Sequence, residues 1–279
     1  MMREAAPRAK TGERVAPAGS TTVARRRPRQ TKAMRKLTWV ELKLVLREPL
    51  TLVFVLAFPV VLLFVMGEVF GQSGGDPGEV VFRDFGAMNY YVPGYLALVG
   101  AAFGMISLPT HLAAYRERGV LRRLHASSVR SWQVLASQTM VGLVLASIGA
   151  VLVAILGMLV YDVRSPASIA AVVLIYLLVT LCFMVLGCLL GAIMPQARAA
   201  LGIGLILFFV MMFLSGTGPP VEVMSDVMLD IGKALPLYHA AYALQDAWNG
   251  LGVNWLEVGI LGAVTVAALG LTVWLFRWE

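Results

Sequence analysis

The chain has 279 residues, of which 59% are hydrophobic and only 14% charged, too little polar surface to clothe a water-soluble fold of this size. Its formal charge of +7 is gathered into gaps between apolar runs, which excludes a nucleic-acid reading of the basic balance. Its two cysteines, Cys182 and Cys188, lie six apart in one apolar run and point away from each other at about 100° per residue, which excludes a disulfide framework or a metal pair.

Met1–Arg35 is rich in Arg, Ala, Pro, Ser and Thr and contains Arg25-Arg26-Arg27-Pro28-Arg29. With no apolar run it cannot bury enough surface to fold alone, so residues 1–35 read as a disordered basic cytoplasmic tail, with an organellar transit peptide as the alternative. From Leu37 to Glu48, the positions Leu37, Val40, Glu41, Leu44, Val45 and Glu48 recur at helical spacing. Trp39, Lys36, Lys43 and Arg47 suit a helix lying in the headgroup layer, an elbow that Pro49 turns into the bilayer.

Six apolar runs follow: Leu50–Phe70, Tyr90–Ala114, Trp132–Val160, Ser168–Met194, Ala199–Ser215 and Trp255–Phe276. A helix needs about 20 apolar residues to cross the hydrocarbon core, and most of these runs meet that length without a central charge. The predicted fold class is therefore an all-α polytopic membrane protein of six transmembrane helices, forming one domain over residues 36–279. Lys and Arg number 20 in residues 1–49, the gap 115–131, Arg198 and Arg277, against Arg83, Arg164 and Lys233 in the remaining gaps. That asymmetry places both termini in the cytoplasm of a multi-pass protein of the inner (plasma) membrane.

Within the spans, ionisable residues are scarce. Glu68, His111 and Glu257 all fall near span ends, where headgroups or water reach them; an interfacial role and a proton relay are the two readings. Gly100–Gly104 and Gly187–Gly191 are GxxxG spacings that permit close helix crossings. Pro59 and Pro109 are expected to kink spans one and two; either the freed carbonyls face a cavity, which with Glu68 makes them candidate pathway positions, or the kinks are purely structural.

Two loops carry the informative chemistry. In the cytoplasmic stretch Tyr115–Ala126, if helical, Glu117, Val120, Leu121 and Leu124 share one face and Arg118, Arg122 and His125 another, a shape that fits a partner's groove or serves only as a basic anchor. In the external stretch Gly216–Asn254, Met224, Val227, Met228, Ile231 and Leu235 keep helical spacing until Pro236. Tyr238, Tyr242 and Trp248 then sit on a second, aromatic helix, so the loop reads as a helical hairpin that is either a surface connector or a lid.

The run Arg116-Glu117-Arg118-Gly119-Val120-Leu121-Arg122-Arg123-Leu124 resembles the coupling-helix segment of ABC-2 type permeases, the membrane halves of ABC exporters. Ser215-Gly216, Pro219-Pro220 and Leu235-Pro236-Leu237-Tyr238-His239-Ala240 are similar to the family's pattern after the fifth span, and the resemblance spans about residues 36–279, closest to the daunorubicin-resistance branch. Ser127-Ser128 and Ser225 stand where the family often carries a proline. The resemblance implies efflux of a hydrophobic or amphipathic substrate, drug- or antibiotic-like or a lipid or glycan. It further implies a separate ABC ATPase subunit docked on Tyr115, Arg116, Glu117, Arg118, Gly119, Val120, Leu121, Arg122 and Leu124, and a second permease chain completing a homodimer. An external gate would comprise Ser215, Gly216, Pro219, Pro220, Pro236, Tyr238 and His239. No GxxxxGK[ST] phosphate loop occurs, and Gly232-Lys233 is isolated, so ATP and Mg are expected on the partner subunit, with no cofactor or catalytic residue on this chain. A gradient-driven carrier and a non-transporting scaffold or sensor are the alternatives.

The charge asymmetry is tested by single cysteines in a background lacking Cys182 and Cys188. Arg123→Cys and Arg198→Cys are expected to resist an impermeant thiol reagent in intact cells, while Gly78→Cys and Asp226→Cys are labelled; labelling of position 123 from outside overturns the topology.

Overall fold

The computed structural model describes residues 38, 39, 41–43, 45, 47, 49–70, 82–120 and 131–275. The basic tail, Gly78, the stretch 121–130 and Arg277 lie outside them. Thr38, Trp39, Glu41, Leu42, Lys43 and Val45 are helical. Glu41 and Val45, one turn apart, are buried, whereas Trp39 is 58% exposed, so this segment is two-sided as its spacing predicts.

The described residues are almost wholly helical, and six helices are long and apolar enough to cross a membrane: Val53–Phe70, Ala87–Glu117, Gln133–Val160, Ile169–Ile193, Ala197–Leu214 and Trp255–Leu275, here spans one to six. Two further helices, Asp226–Gly232 and Pro236–Asn249, join spans five and six. The bundle has an arginine-rich end, carrying Arg116, Arg118 and Arg198, and an arginine-poor end, carrying the turns after spans one, three and five.

Span two is the central post. Of its most apolar stretch 94% is buried, against 22% in spans one and six, because every other span packs on it or on a helix that does. It begins one turn earlier than the apolar run indicates, at Ala87, and continues past His111 to Glu117. The two GxxxG spacings meet each other: a Cβ at Gly100 would touch Thr180 Oγ1 at 3.2 Å, one at Gly104 would overlap the Phe183 carbonyl, and one at Gly191 would press Leu112 Cβ at 2.9 Å. Spans two and four therefore approach at backbone distance, where dispersion between close-packed helices substitutes for the hydrophobic drive that lipid does not supply.

Both mid-span prolines follow a π-helical turn, Val53–Ala57 before Pro59 and Phe103–Ser107 before Pro109. The residue preceding each proline, Phe58 or Leu108, donates its N–H five residues back, to Val53 O and Phe103 O. Proline itself has no N–H to give, so the carbonyls of Val55 and Met105, four residues before Pro59 and Pro109, lose their ladder donor, and Gly104 O loses the Leu108 N–H that turns to Phe103 O. The freed carbonyls do not face a cavity, one of the two outcomes the sequence left open. Instead Gly149 of span three sits against Val55 O, Gly187 of span four against Gly104 O, and Gly204 of span five against Met105 O, each so near that a Cβ would crowd the oxygen. Glycine Cα–H groups are what these oxygens meet, a weak but recurrent contact at helix crossings.

Adding one methyl at such a position forces two backbones apart. Gly187→Ala and Gly204→Ala are each expected to lower stability by about 1–3 kcal/mol, the usual range for overpacking. Gly262→Ala, with nothing within 4 Å of the added carbon, leaves it unchanged. Thermal unfolding in detergent measures all three, and equal melting points would remove the carbonyl-docking account.

Candidate functional site

At the arginine-poor end the chain enters span two through Phe82, Arg83 and Asp84, three consecutive non-glycine residues with φ of 45°, 55° and 63°. Left-handed backbone costs an L-residue roughly 1–2 kcal/mol, so the turn persists only because its surroundings fix it. Phe82 is fully buried among Phe70, Tyr90 and Tyr91, with ring centres 5.5–5.8 Å apart. Arg83 spreads its guanidinium over the helix Pro236–Asn249: one nitrogen donates to Gln245 Oε1 at 2.8 Å, another to Asp246 Oδ1 at 2.7 Å, and the plane lies 4.0 Å from the Tyr242 ring. The Arg83 backbone N–H donates to Glu222 Oε1 at 2.7 Å. Asp246 is completed by Asn254 Nδ2 at 2.9 Å, so both its oxygens are bonded in a site that is almost sealed.

The helix Pro236–Asn249 is the part of this end that departs most from its sequence reading. The spacing predicts an aromatic helix at interface depth, in a surface connector or a lid; the observed one is inserted beside the first turns of span two and buried along most of its length. Gln245 Nε2 donates to Tyr90 O at 3.1 Å, and Asn249 Nδ2 donates to Asn89 O at 3.0 Å. Pro236 opens this helix at its first turn, where a missing N–H is harmless. Tyr238 stacks on Tyr242 at 4.3 Å, and burial pushes the Tyr242 hydroxyl well above its ordinary pKa. His239 bonds Glu257 Oε2 through Nδ1 and the Lys233 carbonyl through Nε2. Glu257 is thus buried against a histidine at the head of span six, not standing free at an interface.

Ser215, Gly216 and Pro220 gather on the other side of Tyr90. Ser215 Oγ and Thr217 Oγ1 lie 3.0 Å apart, and both reach the Met212 carbonyl at the end of span five. Gly216, at φ 83°, passes so close to Tyr90 that a Cβ would lie 2.5 Å from its hydroxyl, to which Val221 N–H donates. Pro219 is half-buried and Pro220 buried in the same turn. The preceding short helix, Asp226–Gly232, buries Gly232, not the stripe its spacing suggests: Val227 and Ile231 are 68% and 49% exposed. The predicted gate residues therefore fall into two clusters, around Met212–Tyr90 and around His239–Glu257, with the Arg83–Asp246 pair between them. Glu68 joins neither; it is exposed near the end of span one.

At the arginine-rich end, Tyr115, Arg116 and Glu117 are the last residues of span two. Arg118 closes the helix and Gly119, at φ 66°, reverses it, with its N–H on Arg116 O at 3.0 Å. Glu117 consequently does not share one continuous helical face with Val120, contrary to the sequence reading. Leu121, Arg122, Arg123, Leu124, His125 and Ala126 lie outside the described residues. Arg116 and Glu117 instead grip the connection between spans four and five. Arg116 Nη1 donates to Ala192 O at 2.9 Å and Met194 O at 3.3 Å, placing a cation on a helix C-terminus, and Glu117 Oε2 accepts from Ala197 N–H at 3.2 Å, placing an anion on a helix N-terminus. Tyr115 Oη and Gln138 Nε2 both donate to Glu41 Oε2, at 2.6 and 2.7 Å, tying the N-terminal helical segment to spans two and three. Burial raises the Glu41 carboxyl above the ordinary carboxylate range, against the Tyr115 bond and the His111 charge.

No group of three or more His, Cys, Asp and Glu side chains able to hold a metal ion occurs among the described residues. A family model described as ABC-2 type transporter matches residues 32–248. The "Probable multidrug ABC transporter permease YbhR" of Escherichia coli (strain K12) is 25% identical over 175 residues, which cover 61% of this chain and 47% of that protein; its counterpart in Escherichia coli O157:H7 matches equally. The aligned stretch spans about half the length of these curated relatives.

The Arg83 fork is the interaction whose loss is most easily read. Arg83→Ala and Asp246→Ala are each expected to cost up to about 3 kcal/mol, since each strands the other partner's charge in a largely dry site. The double variant should cost clearly less than the two singles added. Additive melting shifts in detergent would show that the two residues do not act as a pair.

Proposed function

The chain belongs to the ABC-2 type transporter family, and from that we propose that it is the membrane-spanning permease subunit of an ATP-binding-cassette exporter. Its substrate is hydrophobic or amphipathic, either drug- or antibiotic-like or a lipid or glycan, and leaves the cytoplasm on energy supplied by a separate ATPase subunit carrying ATP and Mg. The arginine-rich end faces the cytoplasm of the plasma membrane, as the distribution of Lys and Arg favours. Two copies of the chain enclose the path.

The observation that carries this reading, beyond the family match, is the clasp made by Arg116 and Glu117. The chain leaving span two at Gly119 enters the segment that resembles a coupling helix, and the residues just before it hold the ends of spans four and five. A push on that segment from an ATPase would be passed to three spans through charge-assisted bonds, as a rigid-body shift. The arginine-poor end, where Ser215, Gly216, Pro219, Pro220, Pro236, Tyr238 and His239 crowd span two, then serves as the exit gate. Glu68 and Glu257, the latter held by His239, are the carboxylates a proton-driven alternative would use.

Inverted membrane vesicles holding the chain and a candidate ABC ATPase subunit separate these readings. Export of a fluorescent amphipathic drug is expected to require hydrolysable ATP and to keep its initial rate when an uncoupler dissipates the proton gradient. Leu121→Asp places an unpaired carboxylate at the docking face and should abolish ATP-dependent export and co-purification of the ATPase, whereas Arg122→Ala retains most of both. Export that continues without ATP, stops with uncoupler and is lost in Glu257→Gln would establish a gradient-driven carrier instead.

A further inference from the structure

Three cations stand at the arginine-poor end among the described residues, and two of them are matched: Arg83 by Asp246, and Lys233 by Asp230 at 3.2 Å. Arg164 is exposed in the turn after span three, and its guanidinium has no ion pair or hydrogen bond to any described residue. Its backbone is held at both polar atoms. The Arg164 N–H donates to Asn89 Oδ1 at 3.0 Å, and its carbonyl accepts from Trp248 Nε1 at 2.9 Å. The structure therefore fixes where this side chain starts and leaves its charge unmatched among the described residues.

Directly beside it lies a groove of about 460 Å³ between spans three and four, with Ser165, Pro166 and Trp248 at its mouth and Val151, Val173 and Tyr176 along it. Val151 and Val173 are 56% and 48% exposed, so the groove opens sideways, toward where lipid would stand, and not upward to water. Its lining on span three runs from Ser147 to Met158. At 1.5 Å per residue that is about 16 Å, close to one leaflet's half of a hydrocarbon core about 30 Å thick. An apolar slot of this kind stays dry, and a bilayer offers only acyl chains to fill it.

We propose that this groove binds one glycerophospholipid from the leaflet at the arginine-poor end, its acyl chain lying between spans three and four and its phosphate diester paired with Arg164. Guanidinium matches phosphate as a fork, and the match gains strength at the edge of a low-dielectric slot. Asp162, exposed two residues earlier, opposes the phosphate and tempers the affinity. The site shares Trp248 with the helix that carries Pro236, Tyr238 and His239 but uses none of the proposed gate or coupling residues, and it stands or falls independently of ATP-driven export.

Native mass spectrometry of the full-length chain in detergent tests the proposal, with dioleoyl phosphatidylglycerol, dioleoylglycerol and inorganic phosphate as probes. Wild-type protein is expected to carry one phosphatidylglycerol per chain. Arg164→Ala should weaken it at least fivefold, Asp162→Asn should tighten it, and Val173→Trp, which fills the slot from an exposed position, should remove it while the melting point stays near wild type. Dioleoylglycerol should bind no better to wild type than phosphatidylglycerol binds to Arg164→Ala, and inorganic phosphate should not bind measurably. Three results overturn the proposal: undiminished binding in Val173→Trp, equal affinity for the lipids with and without phosphate, or cross-linking of Val173→Cys between two copies, which would mean that the chain itself covers the groove.

Discussion

Hydrocarbon neither donates nor accepts hydrogen bonds, so a backbone group released inside a bilayer must be answered by the protein itself. That constraint organises this bundle. Pro59 and Pro109 release carbonyls in spans one and two, and Gly149, Gly187 and Gly204 bring three other spans close enough to cover them. The close crossings of spans two, four and five follow from where those oxygens point. Removal of either proline would relieve the electrostatic reason for the contact and leave only the fit of small residues.

The polar chemistry is pushed to the two ends, and each end uses it differently. At the arginine-rich end the bonds run between helix termini and the side chains of Arg116 and Glu117, joining elements far apart in sequence, with Glu41 buried beneath Tyr115 and Gln138. At the arginine-poor end the Arg83–Asp246 pair and the His239–Glu257 pair are buried, where they fix geometry more than they add stability. A left-handed turn of three residues would relax if its Arg83 anchor were lost.

The spans were legible because length and hydropathy suffice to specify a membrane helix, and the observed limits differ from the apolar runs by a few residues. The glycine spacings marked spans two and four as able to cross another helix closely, but not that they cross each other, which the structure adds. Three features were not legible. The π turns before Pro59 and Pro109 carry no mark in residue type beyond the proline itself. Insertion of Pro236–Asn249 escaped notice because its alanines and tyrosines serve an interface or a core equally well. Arg83 looked like a stray exception to the charge rule, and only Gln245 and Asp246, some 160 positions later, explain it. The apolar spacing around Gly119 suggests a continuous helix, and only its left-handed backbone shows the break.

A π turn inserts one residue into the helical count, which rotates everything beyond it by about 100° relative to an uninterrupted helix. Span two uses the turn at Phe103–Ser107 in this way. Its first half directs one stripe at the inserted helix and spans one and three and meets span four at Gly100, while its second half presents a stripe in a new phase to spans four and five. A single rod thereby carries two addresses that share span four. Deleting one residue within the turn would leave each half folded but bring them back into phase, and one set of neighbours would then find the wrong side chains facing it.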